Sequence, residues 1–115
     1  MKDRVAIYGL IAACAWATLY PGTVQAGAGF GDVSKGKVLF DRNCAGCHGT
    51  EGKGNGYKLL GPDPADLTSR RTAAKSDSEL LKTIHDGKPN MPAWKNLLSE
   101  EQARDVLAYV RILTK

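Results

Sequence analysis

Cys44-Ala45-Gly46-Cys47-His48 is the stretch that decides how this 115-residue chain is read. Two cysteines three positions apart, followed at once by a histidine, form the pattern of a c-type haem attachment site. On a helix, residues three and four apart share a face, so Cys44, Cys47 and His48 point the same way. The two thiols can then form thioethers with the two vinyl groups of one haem. The imidazole beside them falls under the iron as its proximal ligand. Two rival readings fit less well. A thioredoxin-like dithiol belongs near a βαβ pattern, and the chain has no period-2 apolar runs. A structural zinc ion needs four ligands, which His48 and His85 could complete, yet the spacing matches none of the usual paired knuckles.

Outward on the N-terminal side, Asp32 is a natural N-cap for a helix expected from Val33 to about His48. Val33, Gly36, Phe40, Cys44 and Cys47 fall on one stripe of that helix. Glycine inside a helix costs roughly 1 kcal/mol relative to alanine, so Gly36 implies that another helix comes close. Gly27 to Gly31 is a flexible lead-in. Residues 1–26 read as a secretory signal: Lys2 and Arg4 are the positive start, and Val5 to Leu19 is the apolar run. Pro21-Gly22 breaks that run, and Val24-Gln25-Ala26 ends on a small residue suited to cleavage. The run is short for a membrane span, which wants about 20 apolar residues. An alternative is that Ile11-Ala12-Ala13-Cys14 is a lipobox, with a lipid anchor on Cys14. Residues 27–115 are then a single domain, whose third cysteine has gone with the leader and whose remaining two are taken by haem.

On the C-terminal side, Gly49 to Leu60 is a glycine-rich loop. It is not a phosphate cradle, because no strand precedes it and no G-K-[ST] follows. Gly61-Pro62-Asp63-Pro64 continues the irregular backbone. The carbonyl of Pro62 or Pro64 is expected to accept a hydrogen bond from the second nitrogen of His48 and so fix its tautomer. Ser76 and Glu79 form a capping box for a short helix with Leu80, Leu81 and Ile84 inward, stopped by Gly87. Next comes Lys88-Pro89-Asn90-Met91-Pro92, where a methionine stands in a proline-bounded loop. Its thioether suits haem iron and raises the reduction potential, and the only other methionine is Met1. Ser99 and Gln102 make a second capping box, with Leu98 as a hydrophobic staple. The last helix carries Ala103, Val106, Leu107, Val110 and Leu113 as its apolar stripe. Val106 and Tyr109 are expected to cross the first helix at Gly36 and Phe40.

Composition narrows the classes further. A hydrophobic content of 43% is that of a globular chain, and the net charge of +4 is a modest excess. The lysines are scattered and no aromatic platform accompanies them, which argues against nucleic acid. A domain this small often needs a staple, and covalently held haem would supply one, leaving the haem-free chain poorly folded.

As a set these residues resemble the class I monohaem cytochromes c, bacterial and periplasmic. The resemblance runs through Gly36-x-x-x-Phe40-x-x-x-Cys44-Ala45-Gly46-Cys47-His48-Gly49, Gly-Lys-Gly-Asn-Gly at 52–56, and Pro64-Ala65-Asp66-Leu67. It continues through Gly87-x-x-x-Met91-Pro92-Ala93-Trp94 and Leu107-Ala108-Tyr109-Val110. It implies an all-α cytochrome c fold, three to four helices around one covalently attached haem c, with the N- and C-terminal helices crossing. It also implies thioethers at Cys44 and Cys47, iron ligation by His48 and Met91, and Trp94 against the haem. The implied work is one-electron transfer between redox protein donors and acceptors in the periplasm, with no small-molecule substrate. One alternative is a dedicated cytochrome subunit docked to one oxidoreductase complex. Another is a gas-binding or peroxidatic haem protein, which requires that Met91 leave the iron free. His85 could in principle replace Met91, and Arg70 and Arg71 could face haem propionates, although solvated roles are commoner for both residue types.

Overall fold

The chain is described from a computed structural model covering residues 30–114; the leader, with Cys14 and the cleavage point after Ala26, lies outside the described residues. Five helical segments follow in order: α1 (Val33–Asn43), α2 (Ala45–His48), α3 (Arg70–Ala73), α4 (Asp77–Asp86) and α5 (Glu100–Leu113). Among the described residues the only β pairing is an isolated bridge between Lys88 and Met91.

Side-chain caps start these helices where the sequence has the residues for them. Asp32 accepts from the backbone N–H groups of Ser34 and Lys35, at 2.8 and 2.9 Å, two of the orphan donors of a helix start. These bonds hold the Asp32 carboxyl below its ordinary pKa of 3.8. Both expected capping boxes are present, Ser76 with Glu79 on α4 and Ser99 with Gln102 on α5. The single turn α3, capped by Ser69, was not among the expected elements.

The expected first helix is interrupted at Cys44, whose φ of −117° lies well off the helical value near −63°. Hydrogen bonding does not lapse there. The Cys44 N–H donates to the Phe40 carbonyl, while the Cys44 carbonyl accepts from both Cys47 and His48. The C-x-x-C-H turn is thereby a helical turn separate from α1.

α1 packs chiefly on α5, with α4 lying more lightly against α5. The crossing is centred where the sequence put it. A Cβ on Gly36 would overlap the Asp105 carbonyl and press on Cβ of Tyr109, so only glycine allows the two backbones this close. Phe40 is fully buried, and its ring lies 5.1 Å from that of Tyr109 at a tilt of 59°. Such an aromatic pair contributes about 0.5–1.5 kcal/mol beyond its buried area. Leu98, Val106 and Val110 complete this cluster, so the residue ahead of the α5 cap does join the core. Val33 does not: it is 38% exposed, because the start of α1 meets α5 through backbone instead. There the buried Asp105 carboxylate accepts the Asp32 N–H at 2.6 Å.

Candidate haem site

Beside the α1–α5 crossing lies a cavity of about 480 Å³ with a predominantly apolar wall. That is within the range of about 300–1,000 Å³ usual for small-molecule and cofactor sites. Cys44, Cys47 and His48 line it from one segment and Met91 from another, with Phe40 and Trp94 also on the wall. The structure therefore brings together all four candidate site residues.

Backbone hydrogen bonds hold the first segment. The glycine-rich loop after His48 folds back over α2, and the N–H groups of Gly54, Gly56 and Tyr57 donate to the carbonyls of His48, Cys47 and Gly46. These are the carbonyls a helix end leaves without partners. A Cβ on Gly56 would collide with the Gly46 and Cys47 carbonyls, which explains why glycine stands there. The His48 Nδ1 atom lies 3.0 Å from the carbonyl oxygen of Ala65. This corrects the expectation of a proline acceptor: the partner is the residue just after Pro64. With Nδ1–H donating to that carbonyl, Nε2 carries the free lone pair.

The second segment is held as firmly. Lys88 and Met91 exchange two backbone hydrogen bonds, of 3.0 and 2.9 Å, closing a tight turn around Pro89-Asn90. The Asn90 side-chain amide donates to the carbonyls of Leu60 and Pro62, at 3.0 and 3.2 Å, tying the Met91 turn to the facing loop. The Trp94 N–H donates to the Ile84 carbonyl and anchors the far end on α4.

The remaining candidates fall away from the cavity. His85 is half-buried and does not line it, and Arg70 and Arg71 are exposed and off its wall, which is the solvated alternative for the two arginines. Burial, with Cys47 beside it, pushes the Cys44 thiol up to about 11. A reactive dithiol needs the opposite shift, since the thiolate is the nucleophile. Among the described residues no three His, Cys, Asp or Glu side chains gather as they would around zinc.

Comparison with known proteins agrees with this geometry. Residues 31–110 match the family described as cytochrome c oxidase, cbb3-type, subunit III. A cytochrome c6 of Thermostichus vulcanus is 30% identical over 115 residues, covering 96% of this chain and 91% of that one. The chain is a class I monohaem c-type cytochrome. The crystal structure of cytochrome c6 from the diatom Phaeodactylum tricornutum superposes with a TM-score of 0.55 at 30% identity, over 73% of this cytochrome and 95% of the diatom protein. The cytochrome bc1 complex cytochrome c subunit of Mycobacterium tuberculosis is 36% identical over 85 residues, 73% of this chain. This chain spans only 28% of that subunit's length. Membership brings a covalently bound haem c as cofactor. The residues present fit that group: a C-x-x-C-H turn and a methionine line one apolar cavity wide enough for a cofactor. Among the described residues no helix is long and apolar enough to cross a membrane.

Proposed function

We propose that this cytochrome is an exported one-electron carrier whose haem c is attached through Cys44 and Cys47 and held axially by His48 and Met91. What supports this is the meeting of two segments far apart in sequence, one bearing Cys-x-x-Cys-His and one a single methionine, on the wall of the same cavity. Haem c bound there supplies an iron that gains and loses one electron. The chain's own residues do the rest. Cys44 and Cys47 fix the cofactor by its vinyl edge. The Ala65 carbonyl orients the His48 ring and raises its basicity. The Lys88–Met91 turn and the Asn90 brace keep the thioether sulfur at a set position, which limits rearrangement when the charge changes. Phe40, Leu67 and Trp94 keep water from the cavity.

Redox proteins are the partners on this reading. Residues 1–26 direct export to the periplasm and are cleaved after Ala26, or else Cys14 becomes a lipid anchor. A second reading, a dedicated subunit of one oxidoreductase, is favoured by the likeness to the bc1 and cbb3 subunits; stable co-purification with a membrane redox complex would support it over the free carrier. Met91→Ala tests the ligation. It leaves the haem attached, lowers the reduction potential and lets carbon monoxide bind rapidly to the reduced protein. Unchanged potential and carbon monoxide reactivity would remove Met91 from the iron, and rapid carbon monoxide binding by the unaltered protein would favour the gas-binding alternative.

A further inference from the structure

We infer that Asn55-Gly56 is a site of spontaneous deamidation that the folded loop holds shut, so that the modification marks chains whose loop has opened. Of the four asparagines in the chain, Asn55 alone is followed by glycine; the others precede Cys44, Met91 and Leu97. The chemistry belongs to the dipeptide itself. The Gly56 backbone nitrogen gives up its proton to hydroxide and attacks the side-chain carbonyl carbon of Asn55. The new C–N bond closes a cyclic succinimide, and the side-chain nitrogen leaves as ammonia. Water then opens the ring at one imide bond or the other, giving aspartate or isoaspartate. In isoaspartate the main chain runs through the former side-chain methylene. No oxidant or cofactor takes part. Glycine suits the attacking position because it has no side chain in the way and the widest choice of backbone angles.

Burial does not protect this site, because Asn55 is exposed. Hydrogen bonding and packing do. The nitrogen that must attack is the one whose N–H donates to the Cys47 carbonyl at 3.1 Å. On either side of it, Gly54 donates to His48 at 2.8 Å and Tyr57 to Gly46 at 2.7 Å. Nor is Gly56 free to turn, since its Cα lies so close to α2 that a Cβ would meet the Gly46 and Cys47 carbonyls. The group under attack is held as well. Asn55 Oδ1 lies over Gly49, where a Cβ would overlap it, and Gly49 has a φ of +78°. Attack needs both partners released together, which an opening of the loop provides.

The product does not fit back. An added methylene in the main chain carries Gly56 and Tyr57 away from the Cys47 and Gly46 carbonyls, and those end groups of α2 lose their donors. The mark is therefore irreversible and falls on the caps of the C-x-x-C-H turn.

Peptide mapping by mass spectrometry of the purified protein tests this. Native samples and samples unfolded in guanidinium chloride are kept at one mildly alkaline pH and one temperature. Asn55 should gain the mass of deamidation readily in the unfolded chain. In the native protein it should do so at least about tenfold more slowly, because only the opened fraction reacts. Peptides with Asn43, Asn90 and Asn96 should stay unmodified over the same period, and Asn55→Gln should abolish the signal. Asp86-Gly87 can close a similar ring, but its isomerisation leaves the mass unchanged. In deamidated chains returned to native conditions, hydrogen exchange should quicken at Gly56 and Tyr57 and stay slow across α1 and α5. Equal rates at Asn55 in native and unfolded samples would overturn the inference. So would an unfolded chain in which Asn55 reacts no faster than the other asparagines.

Discussion

The two sides of this cytochrome are held together by different means. At the α1–α5 crossing, side chains interlock: Phe40 and Val106 are buried to 0% and 2% exposure, and Gly36 lets the backbones touch. Around the cavity, the segments from Gly49 to Leu67 and from Gly87 to Trp94 contain almost no regular structure beyond one bridge. They are held by backbone hydrogen bonds and by the Asn90 brace, and their apolar faces turn inward to the cofactor site. The packed half is built from contacts between protein side chains, three of which, Phe40, Val106 and Val110, also line the cavity. On the proposed reading the loop half completes its core with haem, so its order and its electronic function would depend on the same group.

This contrast can be broken first on the packed side. Phe40→Ala should cost about 3–5 kcal/mol of stability, as for other fully buried aromatics, measured by denaturant titration of the haem-loaded protein. Because Phe40 also lines the cavity, the reduction potential should shift too, but less than in Met91→Ala. A large change in potential with stability intact would mean that the two halves are not separate in this way. Asn90→Ala acts on the loop side and should cost about 1 kcal/mol, the usual net worth of such bonds. Its signature is local: hydrogen exchange should quicken at Lys88 and Met91 and stay slow across α1 and α5. Uniformly faster exchange would contradict the division.

The smallest effect concerns the helix starts. Backbone and Ser76 hydrogen bonds hold Glu79 below its ordinary 4.5, as backbone bonds hold Asp32 below 3.8. A lowered folded-state value means that the stabilisation is complete above these ordinary values and is lost as the pH falls through the lowered ones. Acidification should therefore lower the thermal midpoint only below the ordinary carboxylate range, and Asp32→Asn should flatten the decline. An equal decline in that variant would take Asp32 out of the effect.

Legibility in the sequence followed the same division. Features carried by side-chain identity could be read directly: the Ser-x-x-Glu and Ser-x-x-Gln caps, Gly36 as a contact point, and Cys44, Cys47, His48 and Met91 as residues that come to line one cavity. Features carried by backbone could not. The Ala65 carbonyl that meets His48 has no side-chain signature, so the prolines on either side of Asp63 drew the expectation. No proline or glycine announces the break at Cys44. The glycines after His48 were legible as loop, but their work of capping α2 becomes visible only when Gly56 is seen against the Cys47 carbonyl. The long-range ties of Asn90 and Arg111 join segments that no local pattern connects.

The cavity, its ligands and its redox work all follow from haem joined to the chain at Cys44 and Cys47. Mass measurement of the intact, denatured chain after export tests this most directly. The expected mass is that of the processed chain plus one haem, reverting to the bare chain when both cysteines are replaced by serine. A stably folded protein at the bare mass would contradict it.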